Sequence, residues 1–156
     1  MVDTVEFSIT GLEDVLKKMR QVPAIARGKP GRRALGKAAT IVARAARQNA
    51  QRVDDPETGR RIGQNIGRRF RGRHFRRTGD PMISIGVLTA RGRIPRGNPD
   101  EGPKGNTPHW HLIELGTERA RAQPFLRPAL ADNINAVTGK FVDEFSKELD
   151  KAMKES

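Results

Sequence analysis

The stretch that most limits the fold lies toward the C-terminal end, where Leu130, Ile134, Val137, Phe141, Phe145, Leu149 and Ala152 (or Met153) recur at steps of three and four. That period predicts one amphipathic helix from Pro128 to about Ala152, whose apolar stripe some other surface must cover. Pro128 suits the first turn, where its missing N–H leaves no bond unmade. Asp143/Lys147 and Asp150/Lys154 sit at i,i+4 and are expected to pair on the outer side.

The cover has to be built from few residues. Only 35% of the 156 residues are hydrophobic and 4% are aromatic, enough for one modest core and hence for a single domain over 1–156. The best partner is a second helical pattern, roughly Arg32 to Val53. Its apolar line, Leu35, Ala38, Val42, Ala45 and Ala46, is mostly small and lets another backbone come close, while Arg33, Lys37, Arg44 and Arg47 take the opposite side. Ahead of it, Val5, Phe7 and Ile9 alternate as in a half-buried strand, and Thr10 with Glu13 forms a capping box. Leu12, Val15, Leu16 and Met19 then continue as a helix limited by Pro23, and a basic joint from Arg27 to Gly31 leads into the Ala-rich helix.

Between the long helices the chain is extended and irregular. Ile83, Ile85 and Val87 alternate, predicting a strand over Met82 to Leu88. Arg91 to Pro108 has almost no apolar content and reads as a long mobile hairpin tip. His109 to Leu115 resumes an extended pattern, with apolar residues on both faces as in an inner strand. These elements predict an α+β fold: a small, mainly antiparallel sheet (Val5–Ile9, Met82–Leu88, His109–Leu115) packed by the long Ala-rich helix and the long C-terminal helix, with extended Arg-rich and Gly/Pro-rich loops.

Charge is the second constraint. Thirty Lys and Arg against 18 Asp and Glu give a net +12, which attracts phosphate and carboxylate alike and so implies a polyanion or an acidic protein surface. The sharpest concentration runs from Arg60 to Arg77 without an acidic residue. There Arg60, Arg61, Arg68, Arg69, Arg71, Arg73, Arg76 and Arg77 surround Ile62, Ile66, Phe70 and Phe75. Ile62 and Ile66 could continue a helix, but Gly67 and Gly72 predict a loop for the second half. Three roles stay open for it: phosphate binding, with Phe70 and Phe75 stacking on bases; docking to an acidic protein; or a solvated segment.

Catalysis finds no footing. There is no Cys, so a thiol nucleophile, a disulfide framework and Cys-based metal sites are excluded. His109 and His111 could share one side of a strand, but Glu114 would face the other way, and no metal is expected there. No G-x-S-x-G elbow is present, and Gly102 to Thr107 lacks the glycine spacing of a phosphate-binding loop. Neither a catalytic activity nor a cofactor is expected. No run is apolar enough to span a membrane, and the acidic, alternating start is unlike a secretory signal.

One segment is more specific than the rest: His111-Leu112-Ile113-Glu114-Leu115-Gly116-Thr117, followed by Ala122-Gln123-Pro124-Phe125-Leu126-Arg127-Pro128-Ala129-Leu130. It resembles the strand, E-x-G-T, turn, Q-P-F-L-R-P-A, helix hallmark of the gene-product-ten tail-completion family, the head-to-tail joining proteins of long-tailed double-stranded DNA bacteriophages. The opening strand with Gly11-Leu12, the Ala-rich helix, Thr58-Gly59-Arg60 and the strand before the hallmark also fall where that family has them. The Arg-rich stretch and the Arg91–Pro108 loop depart from it.

The resemblance implies a virion protein that forms a homo-oligomeric ring, six-fold by preference, at the neck, where it closes the tail and joins it to the head. Its implied partners are connector or stopper, tail-terminator or tail-tube proteins. Arg68, Arg69, Arg71, Arg73, Arg76 and Arg77 would face either a neighbouring ring, the favoured partner, or packaged DNA in non-specific contact. The alternatives are a tail-terminator or other connector ring, and a free basic nucleic-acid-binding protein.

Within the hallmark, physical roles can be assigned to a fold-defining corner. Gly116 permits a positive φ, Thr117 can bond the turn backbone, and Gln123 leads into Pro124 and Pro128, which fix the approach to the last helix. Phe125 and Leu126 would fill the groove between helix and sheet. Glu114 would accept N–H groups of the returning loop or pair with Arg127.

Overall fold

The computed structural model describes residues 12–54, 61–88, 107 and 109–155, and side chains from residue 20 on. Within them the fold is a mixed α+β arrangement organised around one helix. In chain order the elements are α1 (Leu12–Arg27), α2 (Lys29–Ala50), α3 (Ile62–Asn65), β1 (Ile66–Phe70), α4 (Gly72–Thr78), β2 (Ile83–Val87), α5 (Trp110–Leu115), α6 (Leu126–Ala131) and α7 (Ile134–Lys154).

Helix α2 touches α1, α3, α6, α7 and both strands. Its sequence explains why: Gly31, Ala34, Ala38, Ala39, Val42, Ala43, Ala46 and Ala50 are buried, so nearly every inward position is small and neighbouring backbones can approach. The core gathers Val42, Ala46 and Ala50 of α2 with Ile62, Ile66, Phe125 and Ala129. Ile85, Val87, Trp110, Ile113, Leu126 and Val137 pack around that cluster.

Strands β1 and β2 pair antiparallel, Ile66 opposite Val87 through Phe70 opposite Ile83. Arg71 N–H donates to the Met82 carbonyl (2.9 Å) and Leu88 N–H to the Asn65 carbonyl (2.7 Å), extending the ladder at both ends. Alternation gives the sheet two faces: Ile66, Arg68 and Phe70 turn toward α2, and Gly67, Arg69, Arg71 and Ser84 turn outward.

Several sequence expectations are corrected. Pro23 lies inside α1 instead of ending it. Proline removes one helical N–H bond, and the packing of α1 on α2 and α7 holds the following turn, which closes with Gly28 N–H on the Ala24 carbonyl (2.9 Å). The basic joint shrinks to Gly28, with Pro30 already in the first turn of α2.

The segment from Arg68 to Arg77 is not a loop. It is the end of β1 followed by α4, because pairing with β2 fixes the strand and the Phe70–Phe75 contact, 5.7 Å between rings, folds the helix back onto it. His109–Leu115 is a helix and not a strand. Trp110 and Ile113 face the core and Glu114 is buried beside them, a three- and four-residue spacing, while Leu112 and Leu115 stay exposed.

The sheet therefore has two strands among the described residues. The expected strand at Val5–Ile9, and the Arg91–Pro108 loop apart from Thr107, lie outside them. Thr107 itself is fully buried, its hydroxyl accepting from Asn65 Nδ2 at 2.9 Å. The C-terminal helix is interrupted at Asp132 and Asn133, where Asn133 Nδ2 bonds the Ala129 carbonyl (3.0 Å) and separates α6 from α7. Among the described residues no helix is long and apolar enough to cross a membrane.

Candidate functional site

The corner from α5 to α6 is held by one carboxylate. Glu114 is 4% exposed and its two oxygens accept four hydrogen bonds. Oε2 takes the backbone N–H groups of Phe125 (2.7 Å) and Leu126 (3.0 Å), and Oε1 takes the Arg127 N–H (3.1 Å) and Arg127 Nε (3.2 Å). The three backbone donors are orphans of the first turn of α6, so a side chain from a different helix caps it. Both roles open to Glu114 in the sequence are thus filled at once. Burial opposes ionisation of this carboxyl, but the N–H groups of Leu126, Phe125 and Arg127 and the Arg127 guanidinium outweigh it and hold it below the usual carboxylate range. Arg127 Nη2 closes the unit on the Glu114 carbonyl (2.9 Å).

The turn between is specified residue by residue. Gly116 has φ 78° and ψ 177°, backbone that a side chain disfavours, and a Cβ there would lie 2.7 Å from the Ala122 nitrogen. The Thr117 hydroxyl accepts from the N–H groups of Arg119 (3.2 Å) and Ala120 (3.0 Å). Gln123 N–H returns to the Ile113 carbonyl (2.8 Å). Phe125 is fully buried against α2, and its carbonyl accepts from Asn49 Nδ2 (3.2 Å). Pro124 is exposed, Pro128 is the third residue of α6, and Leu126 packs at the margin of the core.

The arginines separate into two groups. Arg68 turns inward and is occupied, its Nη1 on the Gly36 carbonyl and, at 2.8 Å, on Thr40 Oγ1, joining β1 to α2. Arg69, Arg71, Arg73, Arg76 and Arg77 line one open groove with Phe70, His74, Met82 and Ser84, and among the described residues only Arg71 is engaged, its Nε donating to Ser84 Oγ at 2.6 Å. The two Phe rings of the stretch are not free: the Arg32 guanidinium lies 4.5 Å from the Phe75 centroid and 5.3 Å from that of Phe70.

A second buried carboxylate had no signature in the sequence. Glu144, the buried residue of α7, accepts from Lys37 Nζ of α2 (2.5 Å) and Lys140 Nζ (2.9 Å), with Lys147 at 3.6 Å. Arg33 adds a 3.4 Å pair with Glu148. Lys37 and Arg33 therefore tie α2 to α7 while their side chains stay more than half exposed, and Lys147 pairs with Glu144 and not with Asp143. The lysine hydrogen bonds hold the Glu144 pKa down to about 2 from 4.5.

A carboxyl depressed by folding contributes stability above its unfolded pKa and loses it as pH falls through the folded one. The urea midpoint should accordingly fall steadily from about pH 5 to pH 2. Glu144→Gln should flatten part of that decline, and an equally steep decline in the variant would refute the assignment.

Among the described residues no three His, Asp or Glu side chains gather in a way that could hold a metal ion. His111 instead lies edge-on to Trp110, ring centroids 5.9 Å apart. The arrangement as a whole suits binding between surfaces: a rigid capped corner, a basic groove and a clamped helix pair. Comparison with curated proteins and with solved structures gives no match. A family model described as "Bacteriophage HK97-gp10, putative tail-component" matches residues 12–116, two thirds of the chain. The matched range runs from the start of α1 to Gly116 and includes α2, the sheet and the Glu114 half of the corner. The chain belongs to the HK97-gp10-like family of bacteriophage tail components.

Proposed function

We propose that this tail component is a tail-completion, or neck, protein, which assembles as a ring of six copies at the top of the tail and joins the tail to the head. One observation carries the reading: the corner is rigid in itself but flanked by apolar side chains left open. Leu112 and Leu115 on α5, Leu130 and Ile134 around the α6–α7 junction, and Val142 on α7 are 47–66% exposed. Uncovered apolar residues on consecutive elements beside a stiff support suit a subunit completed by its neighbours. In this reading those neighbours are further copies of the chain, connector or stopper proteins on the head side, and tail-terminator or tail-tube proteins on the other. The protein acts in the virion by assembly and not by catalysis.

The test is the lysate of a phage that lacks the chain. It should contain DNA-filled heads and separate, full-length tails. Joined particles in normal yield would refute the reading, and heads with no tails of full length would move the protein to an earlier step of tail building.

A further inference from the structure

We propose that the groove between the outer face of the β1–β2 sheet and α4 binds the phosphate backbone of double-stranded DNA without reading its bases. Two periodicities converge there. Arg69 and Arg71 are two residues apart on one side of an extended segment, and Arg73, Arg76 and Arg77 stand at i, i+3 and i+4 along α4. The result is five guanidinium groups around a groove of about 840 Å³, with Ser84 and His74 as the other polar lining residues and no carboxylate among them.

The groove's charge is available. Arg69, Arg73, Arg76 and Arg77 are exposed and make no ion pair or side-chain hydrogen bond within the described structure. The one acid nearby in sequence, Asp80, pairs with Arg27 at 3.4 Å. Like charges held this close raise the local potential and are relieved by a polyanion.

The rest of the lining selects the partner. A protein interface needs an apolar centre, yet the large apolar lining of the groove is limited to Phe70 and Met82, and one face of the Phe70 ring is taken by the Arg32 guanidinium at 5.3 Å. Met82 remains as a single exposed apolar side chain. Single strands are held by stacking bases on several aromatic rings, whereas Phe70 is the one Phe lining the groove and is already in contact with Arg32 and Phe75. Five guanidinium groups dominate the surface, the chemistry of contacts with duplex phosphates. On α7, the acidic side chains alternate with Lys140, Lys147, Lys151 and Lys154 and offer a second copy's groove no continuous acidic surface. The inference rests on the groove alone and stands or falls independently of the role at the neck.

The experiment measures binding of the purified chain to a random-sequence duplex of 30 base pairs by fluorescence anisotropy. With five phosphate contacts, affinity should fall roughly 500-fold between 50 and 200 mM salt, a log–log slope near −4.5. A second duplex of unrelated sequence should bind equally. Exchanging Arg69, Arg71, Arg73, Arg76 and Arg77 together for Gln should bring the slope close to zero. The milder pair R76Q/R77Q should make it shallower by about 2, while R44Q/R52Q, on exposed arginines away from the groove, should leave it unchanged. Binding that is absent at 50 mM salt, or a slope unmoved in R76Q/R77Q with circular dichroism unchanged, would overturn the proposal. Tighter capture of poly-glutamate than of duplex at equal salt would also overturn it, in favour of an acidic protein.

Discussion

Phe125→Ala should remove most of the folding stability of this chain. The ring is fully buried among Val42, Ala46, Ala50, Ile62, Ile66 and Ala129, where α2, α3, β1 and α6 meet. Truncating a buried Phe typically costs about 3–5 kcal/mol, against a total of about 5–15 kcal/mol for a domain of this kind. The surroundings cannot collapse to refill the space, because the α2 side chains around the ring are mainly alanines with no longer rotamer to offer. Urea unfolding should therefore move to a much lower midpoint with the slope retained. Phe125→Leu should recover part of the loss by keeping most of the volume. A wild-type midpoint in Phe125→Ala would mean that the corner is not packed against α2 as described.

Glu114→Gln should also be strongly destabilising, although it changes one atom. Three backbone N–H groups and the Arg127 guanidinium converge on the carboxylate. A carboxamide offers one oxygen and turns an NH2 toward the remaining donors, so at least one N–H in a nearly closed site loses its acceptor. At about 1–3 kcal/mol for each buried donor left unpaired, the expected loss is roughly 2–4 kcal/mol. Arg127→Ala should cost much less, about 0–1 kcal/mol, because that side chain is 63% exposed.

The substitution has a pH signature as well. Glu114 is ionised to a lower pH in the fold than in the unfolded chain, so its contribution is present above the ordinary Glu range and fades as pH falls. The gap between wild type and Glu114→Gln should narrow in acid, and a gap independent of pH would show that shape, not charge, matters there. Phe125 and Glu114 touch through the Phe125 N–H, so the double variant should lose less than the sum of the two.

Much of this corner could be read from residue types. Gly116 before Thr117 announces a turn, and Glu114 with Arg127 provides one acceptor for a cluster of donors. The two long helices were legible as helices, since small inward residues in α2 and the stripe of α7 carry their own period, but the break at Asp132 and Asn133 and the exposure of Leu130 and Ile134 were not. Legibility failed where tertiary contacts decide between local options. Trp110 to Leu115 alternates well enough for a strand, and only the core contacts of Trp110 and Ile113, with Glu114 drawn to the start of α6, make it a helix.

Helix α4 was hidden by charge: three of its residues and the residue before it are Arg, and a run of like charge reads as solvated chain. The available signal was its end, where Arg76-Arg77-Thr78 leads to Gly79 at φ 78°, whose N–H bonds the Phe75 carbonyl (2.8 Å). Glu144 could not have been singled out at all. Its partner Lys37 lies 107 positions away, and on α7 it is one acid among several.

The same residues divide architecture from contact. Arg68 of the cationic stretch and Arg32 of the Ala-rich helix are spent within the fold on Thr40 and on the Phe70–Phe75 pair. Arg69, Arg71, Arg73, Arg76 and Arg77 remain at the surface, as do the apolar side chains beside the corner. A chain arranged in this way keeps its rigid elements inside and presents charge and apolar surface to whatever it joins.

The role proposed at the neck is tested most directly by complementation in vitro. Purified wild-type chain is added to a lysate of phage lacking it, and infectious particles are counted before and after. The account predicts that heads and tails already present join on addition, with infectivity rising in proportion to added protein, and that Phe125→Ala fails to restore it. If infectivity stays flat while intact heads and full-length tails are both present, the chain is not what joins them.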